Sequence, residues 1–282
     1  MAAWFLSIML TIMLVTGGVA APRQVSEQAA GTYPIPVLMY HHFSQNVDEA
    51  LASRMIILGD NFEEQMRFLR EQGFTSLTYN DYLAVLDGEE PMPARPVLIT
   101  IDDGYESNYT IAYPVLKKYG LKASIAVVVS SIPDIYGKNF PGYPHMSWAQ
   151  MQEMEGSGLV EFHNHTFNLH RDVNGKPALV ARLDGEGEEA FKYRVRGDLI
   201  QARRLLEEHF QKPPNALSFP YGAWDQAVME AAIDTGHRVF PTYRWGYADG
   251  NSPVLPRILI DDIPIAEFVQ IVEGKTRQGK NP

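Results

Sequence analysis

The chain has 282 residues, 45% of them hydrophobic, enough for one large buried core and suited to a single α/β domain of ordinary barrel size. Its formal charge of -10, from 34 acidic and 24 basic side chains with no basic cluster, argues against nucleic acid and against any polyanion that meets no local basic groove. Cysteine is absent, which excludes disulfides, thiolate metal ligands and a lipid carried on a lipobox cysteine.

Met1 to Ala20 is apolar apart from a few Ser and Thr, and Gly17-Gly18-Val19-Ala20-Ala21 supplies the small residues that signal peptidase cleaves after. Residues 1–21 are therefore expected to export the protein. No Lys or Arg precedes the apolar run, so attachment to the membrane through the same segment stays open. Residues 22–33 are polar and aperiodic and read as a tether. One domain is expected over 34–275, followed by a polar tail, 276–282. Export without disulfides suits a bacterial cell envelope, with the protein secreted or membrane-anchored outside the cytoplasm and monomeric.

From Pro36 on, β-type runs recur at Val37 to Tyr40, Phe74 to Thr78, Val97 to Ile101, Ala123 to Val129, Leu159 to Phe162, Ala216 to Phe219, His237 to Phe240 and Ile258 to Ile260. Amphipathic helical stretches lie between them. Phe62, Met66 and Leu69 share one face behind Asn61 as a cap, and Ser147 with Gln150 makes a capping box before Met151 and Met154. Gly73, Gly120, Gly158 and Gly236 each stand between a helical stretch and the next strand, where a left-handed residue stops a helix. That order is what a parallel sheet with crossover helices requires, and eight candidate strands favour a closed or nearly closed barrel. Residues 171–190 show no apolar period and read as an insertion loop leading into the helix that carries Leu199, Leu205 and Leu206.

The chemistry concentrates where strands end. The run Val97 to Ile101 stops in Asp102-Asp103-Gly104, and adjacent carboxylates repel unless a cation or a shared proton sits beside them. After the Leu159 to Phe162 strand come His163, His165 and His170, three histidines within eight residues. A helical zinc pair stands four residues apart, whereas His165 and His170 are five apart, about 140° off a common helix face, so a loop must present them. With one Asp they make a two-histidine, one-carboxylate site with open positions, suited to one divalent ion: zinc first, with cobalt, nickel, iron or manganese open. His163 alternates with His165 along the strand and is expected to support the site from behind.

Three ordered motifs, Ile99-Thr100-Ile101-Asp102-Asp103-Gly104, His165-Thr166 with His170, and Phe219-Pro220-Tyr221-Gly222, resemble those of the polysaccharide deacetylases, the NodB-homology group of carbohydrate esterases. The resemblance runs from Pro36 to about Pro264. It implies a distorted (β/α)7-type barrel and metal-dependent removal of N-acetyl groups from an N-acetylated polysaccharide, either a surface polymer of N-acetylglucosamine or peptidoglycan. It also implies that Asp102 is the general base and that Asp103, His165 and His170 hold the metal. The five-residue histidine spacing is similar to the exported poly-N-acetylglucosamine deacetylase branch. Where the family usually carries an arginine in its third motif this chain has Ser218, and Arg257 is the expected substitute as partner of Asp102. No histidine follows His237, so the usual C-terminal histidine motif is missing. The branch resemblance implies that a histidine after Tyr40 supplies the acid; His41 is assigned, with His42 its rival because strand alternation turns one of the two away.

Pro220 and Tyr221 in the third motif and Trp245 further on are expected to face substrate, since an aromatic ring can pack on the apolar face of a pyranose. A catalytically inactive glycan-binding module of the same fold is the competing reading, motivated by Ser218 and the missing C-terminal motif. Hydrolysis of a different acyl amide or ester on the same site is a third.

Overall fold

The computed structural model of the chain describes residues 34–136 and 142–276, so the expected export segment, the tether and residues 277–282 lie outside the described residues. The described part belongs to one compact unit. In chain order it begins with β1 (Val37–Tyr40), β2 (His42–Ser44), α1 (Val47–Ala52), β3 (Ile56–Leu58), α2 (Gly59–Glu71), β4 (Thr75–Leu77), α3 (Tyr79–Leu86) and β5 (Pro96–Ile101). It continues through α4 (Tyr113–Tyr119), β6 (Ala123–Val127), α5 (Pro133–Tyr136), α6 (Trp148–Gly156), β7 (Val160–Asn164), β8 (Asp172–Val173), β9 (Lys176–Pro177) and α7 (Glu188–Phe210). The last elements are α8 (Gln226–Asp234), β10 (Phe240–Pro241), β11 (Val254–Leu255), β12 (Ile258–Leu259) and α9 (Ile265–Val272).

The main sheet is parallel, in the order β12-β1-β5-β6-β7. All six residues of β5 are buried, as a strand covered by helices on one side and a barrel interior on the other must be, which is why it reads as an unbroken apolar run. On the edge of β5 away from β1, β4 pairs with its first half and β6 with its last two residues, so the sheet forks there. Beyond β7 the circuit thins to single parallel bridges, Asn164 to Leu217 and Ala216 to Val239, and then to the β10–β11 pair. β11 ends two residues before β12 begins, with Pro256 and Arg257 between them. The strands thus run round a distorted (β/α)-type barrel whose last gap is crossed by the chain itself and not by a ladder.

Phe62, Met66 and Leu69 are buried on the inner face of α2, and α6 carries the Ser147–Gln150 capping box. Gly73, Gly120, Gly158 and Gly236 are all left-handed. Asn61 is not the cap of α2: the helix starts at Gly59, and Asp262 reaches back to accept from Leu58 N at 3.1 Å and from Asn61 Nδ2 at 2.6 Å. The insertion is shorter than expected. It contains the β8–β9 hairpin and ends at Gly187, and Glu188 and Glu189 form the first turn of α7, where carboxylates are favoured by the helix dipole. The β2–β3 pair and α1 were not expected from the pattern.

Candidate active site

At the C-terminal end of β5 the backbone breaks strand alternation. Asp102 N donates to Tyr40 O at 2.9 Å, continuing the β1 ladder, but Asp103 takes a left-handed conformation with φ 74. That turn brings both carboxylates into one cavity, where a regular strand would have sent them to opposite faces. Gly104, also left-handed, lies so close to β6 that a Cβ there would stand 2.8 Å from Val127 Cγ1.

The cavity has a volume of about 350 Å³, and His41, Asp102, Asp103, His165, His170 and Arg257 are among its walls. Arg257 is 1% exposed and grips Asp102 with two parallel bonds, Nη1 to Oδ1 at 2.9 Å and Nη2 to Oδ2 at 2.7 Å; its Nε donates to Thr242 O at 3.0 Å. Burial by itself pushes the Asp102 carboxyl up, but the Arg257 guanidinium, joined by His165 and His41, outweighs it and holds the pKa below the usual carboxylate value. Asp102 is therefore an ionised carboxylate with a fixed partner. Arg257 comes from the link between β11 and β12, far in sequence from Ser218, whose position in the third motif lacks an arginine.

Ser218 contributes its carbonyl instead. His165 Nδ1 donates to Ser218 O at 2.8 Å, which fixes the ring and turns Nε2 toward Asp103. His165 Nε2 and His170 Nε2 each stand 3.3 Å from Asp103 Oδ1. That oxygen is buried and has no hydrogen-bond partner among the described residues, and one donor atom from each of the three side chains lies within 4.8 Å of the others. Burial pushes His170 down to about 4, so its ring is neutral near pH 7 and can offer a lone pair. An orphaned carboxylate oxygen facing two imidazole nitrogens fits a divalent cation of the zinc type.

His41 lines the cavity with Nδ1 buried and unbonded among the described residues. Burial pushes its pKa down and outweighs the upward pull of Asp103 and Asp102. His42 faces away: its Nδ1 is 2.9 Å from Ser107 Oγ and its ring stacks on Tyr143 at 3.9 Å. His163 also lies outside the cavity lining, beside Glu161 at 3.3 Å and accepting from Ala216 N at 3.3 Å. Tyr221, 55% exposed and left-handed at φ 56, sits at the rim with its ring 4.6 Å from that of His170. Pro220 is buried beneath it as the first residue of the same short turn. Trp245 is not in the cavity wall; its ring meets Tyr247 edge-on at 5.7 Å. Phe219 and Gly222 of the third motif also line the cavity, and Met55 and Tyr243 join them without having been singled out from sequence. Tyr243 lies in the same aromatic run as Trp245, a usable signal, whereas Met55 carried none.

The profile of the family described as "Polysaccharide deacetylase" matches residues 89–240, more than half of the chain, and spans the Asp102–Asp103 pair and both site histidines. The chain belongs to the polysaccharide deacetylase family. It is 26% identical to a poly-β-1,6-N-acetyl-D-glucosamine N-deacetylase of Escherichia coli K12, over 99% of this chain and 46% of that protein. It is also 26% identical to one of Staphylococcus aureus, over 76% of this chain and 70% of the other. The chain thus spans about half the length of the E. coli relative. Among solved structures, IcaB from Ammonifex degensii superposes with a TM-score of 0.70 at 28% identity, covering 85% of this chain and 95% of that one. The de-N-acetylase from Aggregatibacter actinomycetemcomitans gives 0.73 at 25% identity, covering 84% and 100%.

Proposed function

We propose that this deacetylase removes N-acetyl groups from a polymer of N-acetylglucosamine, with a β-1,6-linked surface polymer as first choice and peptidoglycan second. The observation that carries the reading is the convergence of Asp103 Oδ1, His165 Nε2 and His170 Nε2 beside an Asp102 that Arg257 keeps ionised. The names of the E. coli and S. aureus relatives support the choice of polymer.

In this proposal Asp103, His165 and His170 hold one divalent ion, zinc first. Such an ion supplies positive charge for the acetyl oxygen and makes a water easier to deprotonate. Asp102 takes the proton of the attacking water, and Arg257 keeps the carboxylate aimed and charged. As the new carbon–oxygen bond forms and the carbon–nitrogen bond breaks, His41 in its protonated, imidazolium form gives the departing amine its proton, so acetate and a free amino sugar leave. Tyr221 offers a ring at the rim for a sugar face. Export to the cell envelope belongs to the same proposal and rests on the apolar Met1 to Ala20 segment. Among the described residues no helix is long and apolar enough to cross a membrane.

The test is acetate release from β-1,6- and β-1,4-linked N-acetylglucosamine oligomers and from peptidoglycan, using chelator-stripped protein restored with one metal at a time. Metal-dependent release, fastest on the β-1,6 oligomer, is expected. Tight glycan binding by metal-loaded protein with no acetate released from any substrate would make it a binding module.

A further inference from the structure

A five-residue separation does not by itself bring His165 and His170 to one carboxylate oxygen; the loop between them has to be held in one shape. Its turn begins with Thr166 in the left-handed region at φ 73, an unfavourable place for a β-branched residue. Asn164 Oδ1 accepts from Thr166 N at 2.7 Å, and Thr166 Oγ1 accepts from Leu169 N at 3.1 Å. The carbonyls of Thr166 and Phe167 accept from Val129 N at 3.1 Å and Ser130 N at 2.9 Å. The two remaining central amides, those of Phe167 and Asn168, go to one side chain. Asp198 on α7 accepts both, at Oδ1 and Oδ2, each at 2.8 Å.

We infer that Asp198 is a positioning residue for the metal loop: its carboxylate clamps the backbone midway between His165 and His170 and so sets the separation of their imidazoles. This rests on the reading of Asp103, His165 and His170 as metal ligands. The chemistry calls for a carboxylate, because both partners are N–H donors and only an acceptor-only group with two oxygens satisfies both. An asparagine would serve one amide and turn its own N–H toward the other. The position is also a costly one for an acid. Asp198 is pushed up to about 6 by burial, despite the two amides that favour its charged form, whereas neighbouring Arg196 and Gly197 on α7 are exposed. A residue whose only task was to solubilise the helix would point outward with them.

Outer groups that orient metal ligands commonly account for a 10- to 100-fold difference in metal affinity. The experiment compares wild type, Asp198→Asn, Asp198→Ala and His170→Ala as full chains, stripped with chelator and titrated with Co²⁺. The readouts are the visible absorption of bound cobalt, the dissociation constant and the thermal midpoint of the metal-free protein. Both Asp198 variants are expected to bind about 10–100-fold more weakly with an altered cobalt spectrum, and excess metal should restore occupancy; His170→Ala should fail to restore it. Wild-type affinity and spectrum in the Asp198 variants, with only the metal-free midpoint lowered, would reduce Asp198 to a fold-supporting residue. Should Asp198→Ala not fold, the isosteric Asp198→Asn decides. If wild type takes up no cobalt and His170→Ala behaves identically, the ligand assignment itself fails and the role of Asp198 falls with it.

Discussion

Two adjacent aspartates end up with separate tasks because of what touches each. Asp102 is held from behind by Arg257, so its charge is balanced and its direction fixed, while Asp103 keeps an oxygen with no hydrogen bond among the described residues, facing two imidazoles. Asp102→Asn should therefore keep the metal site and lose the proton acceptor, with turnover falling about 10²–10⁴-fold. Acetate release alongside metal analysis checks this; wild-type turnover in the variant would mean that Asp102 serves only to anchor Arg257. The two histidines after β1 divide in the same way. His41 faces the cavity, whereas His42 bonds Ser107 and stacks on Tyr143. His41→Ala is expected to lose turnover with little change in stability, and His42→Ala to keep turnover while losing about 1–2 kcal/mol from a buried hydrogen bond and a ring contact. Denaturation and kinetics on the pair separate these outcomes, and the reverse pattern would hand the acid role to His42.

At the scale of elements, the site depends on turns that few residues can make. Gly222 is left-handed at φ 67, and a Cβ there would stand 2.2 Å from Tyr243 Cβ, a contact no rotamer change relieves because both atoms are fixed to backbone. Gly222→Ala should lose about 2–5 kcal/mol, the left-handed penalty plus overpacking, and raise KM as Tyr221 and Tyr243 move apart. Gly185, left-handed with open space around it, is the control: its alanine variant should lose only about 1–2 kcal/mol and leave KM unchanged. Equal losses at both positions would mean that the Tyr243 segment yields freely.

The parts of this architecture that were legible in sequence are those whose signal is local. β5 is buried on both sides, so its apolar run and the Asp-Asp-Gly that ends it stand out, and the capping box of α6 lies within four residues of chain. The β2–β3 pair did not stand out, because β2 offers only Phe43 between His42 and Ser44, β3 is three residues long, and the pairing joins His42–Ser44 to Ile56–Leu58 across a helix. Met55 and Tyr243 enter the cavity wall through the packing of separate loops, and Asp198 looks like any polar residue on a long helix until its two amide partners are in view.

For the molecule as a whole, several ionisable groups are buried, and one of them, His237, touches the metal loop through Asn164. Its Nδ1 faces Ala232 O at 3.2 Å and Thr235 Oγ1 at 3.1 Å, while Nε2 stands 3.0 Å from Asn164 Nδ2, the side chain that also caps Thr166. Burial pushes His237 down to about 3 from an ordinary value of 6.5. The unfolded chain therefore takes a proton at this residue as pH falls through 6.5 while the folded chain does not until about 3, so stability is full above 6.5 and drains away between those values. The loss is on the order of 5 kcal/mol when complete. Asp198 acts with the opposite sign: lifted to about 6, it binds a proton more readily folded than unfolded, so its contribution is present at low pH and lost as pH rises through 6. The two slopes oppose each other between about pH 4 and 6, and the wild-type curve alone would hide both. A difference measurement exposes the first. In chelator, the stability gap between wild type and His237→Asn, from urea denaturation at pH 7, 5.5 and 4, should narrow steadily as pH falls, because only wild type carries the buried imidazole. A gap of constant size across that range would show that the folded protein protonates His237 as easily as the unfolded chain does, and that burial does not exclude its charge.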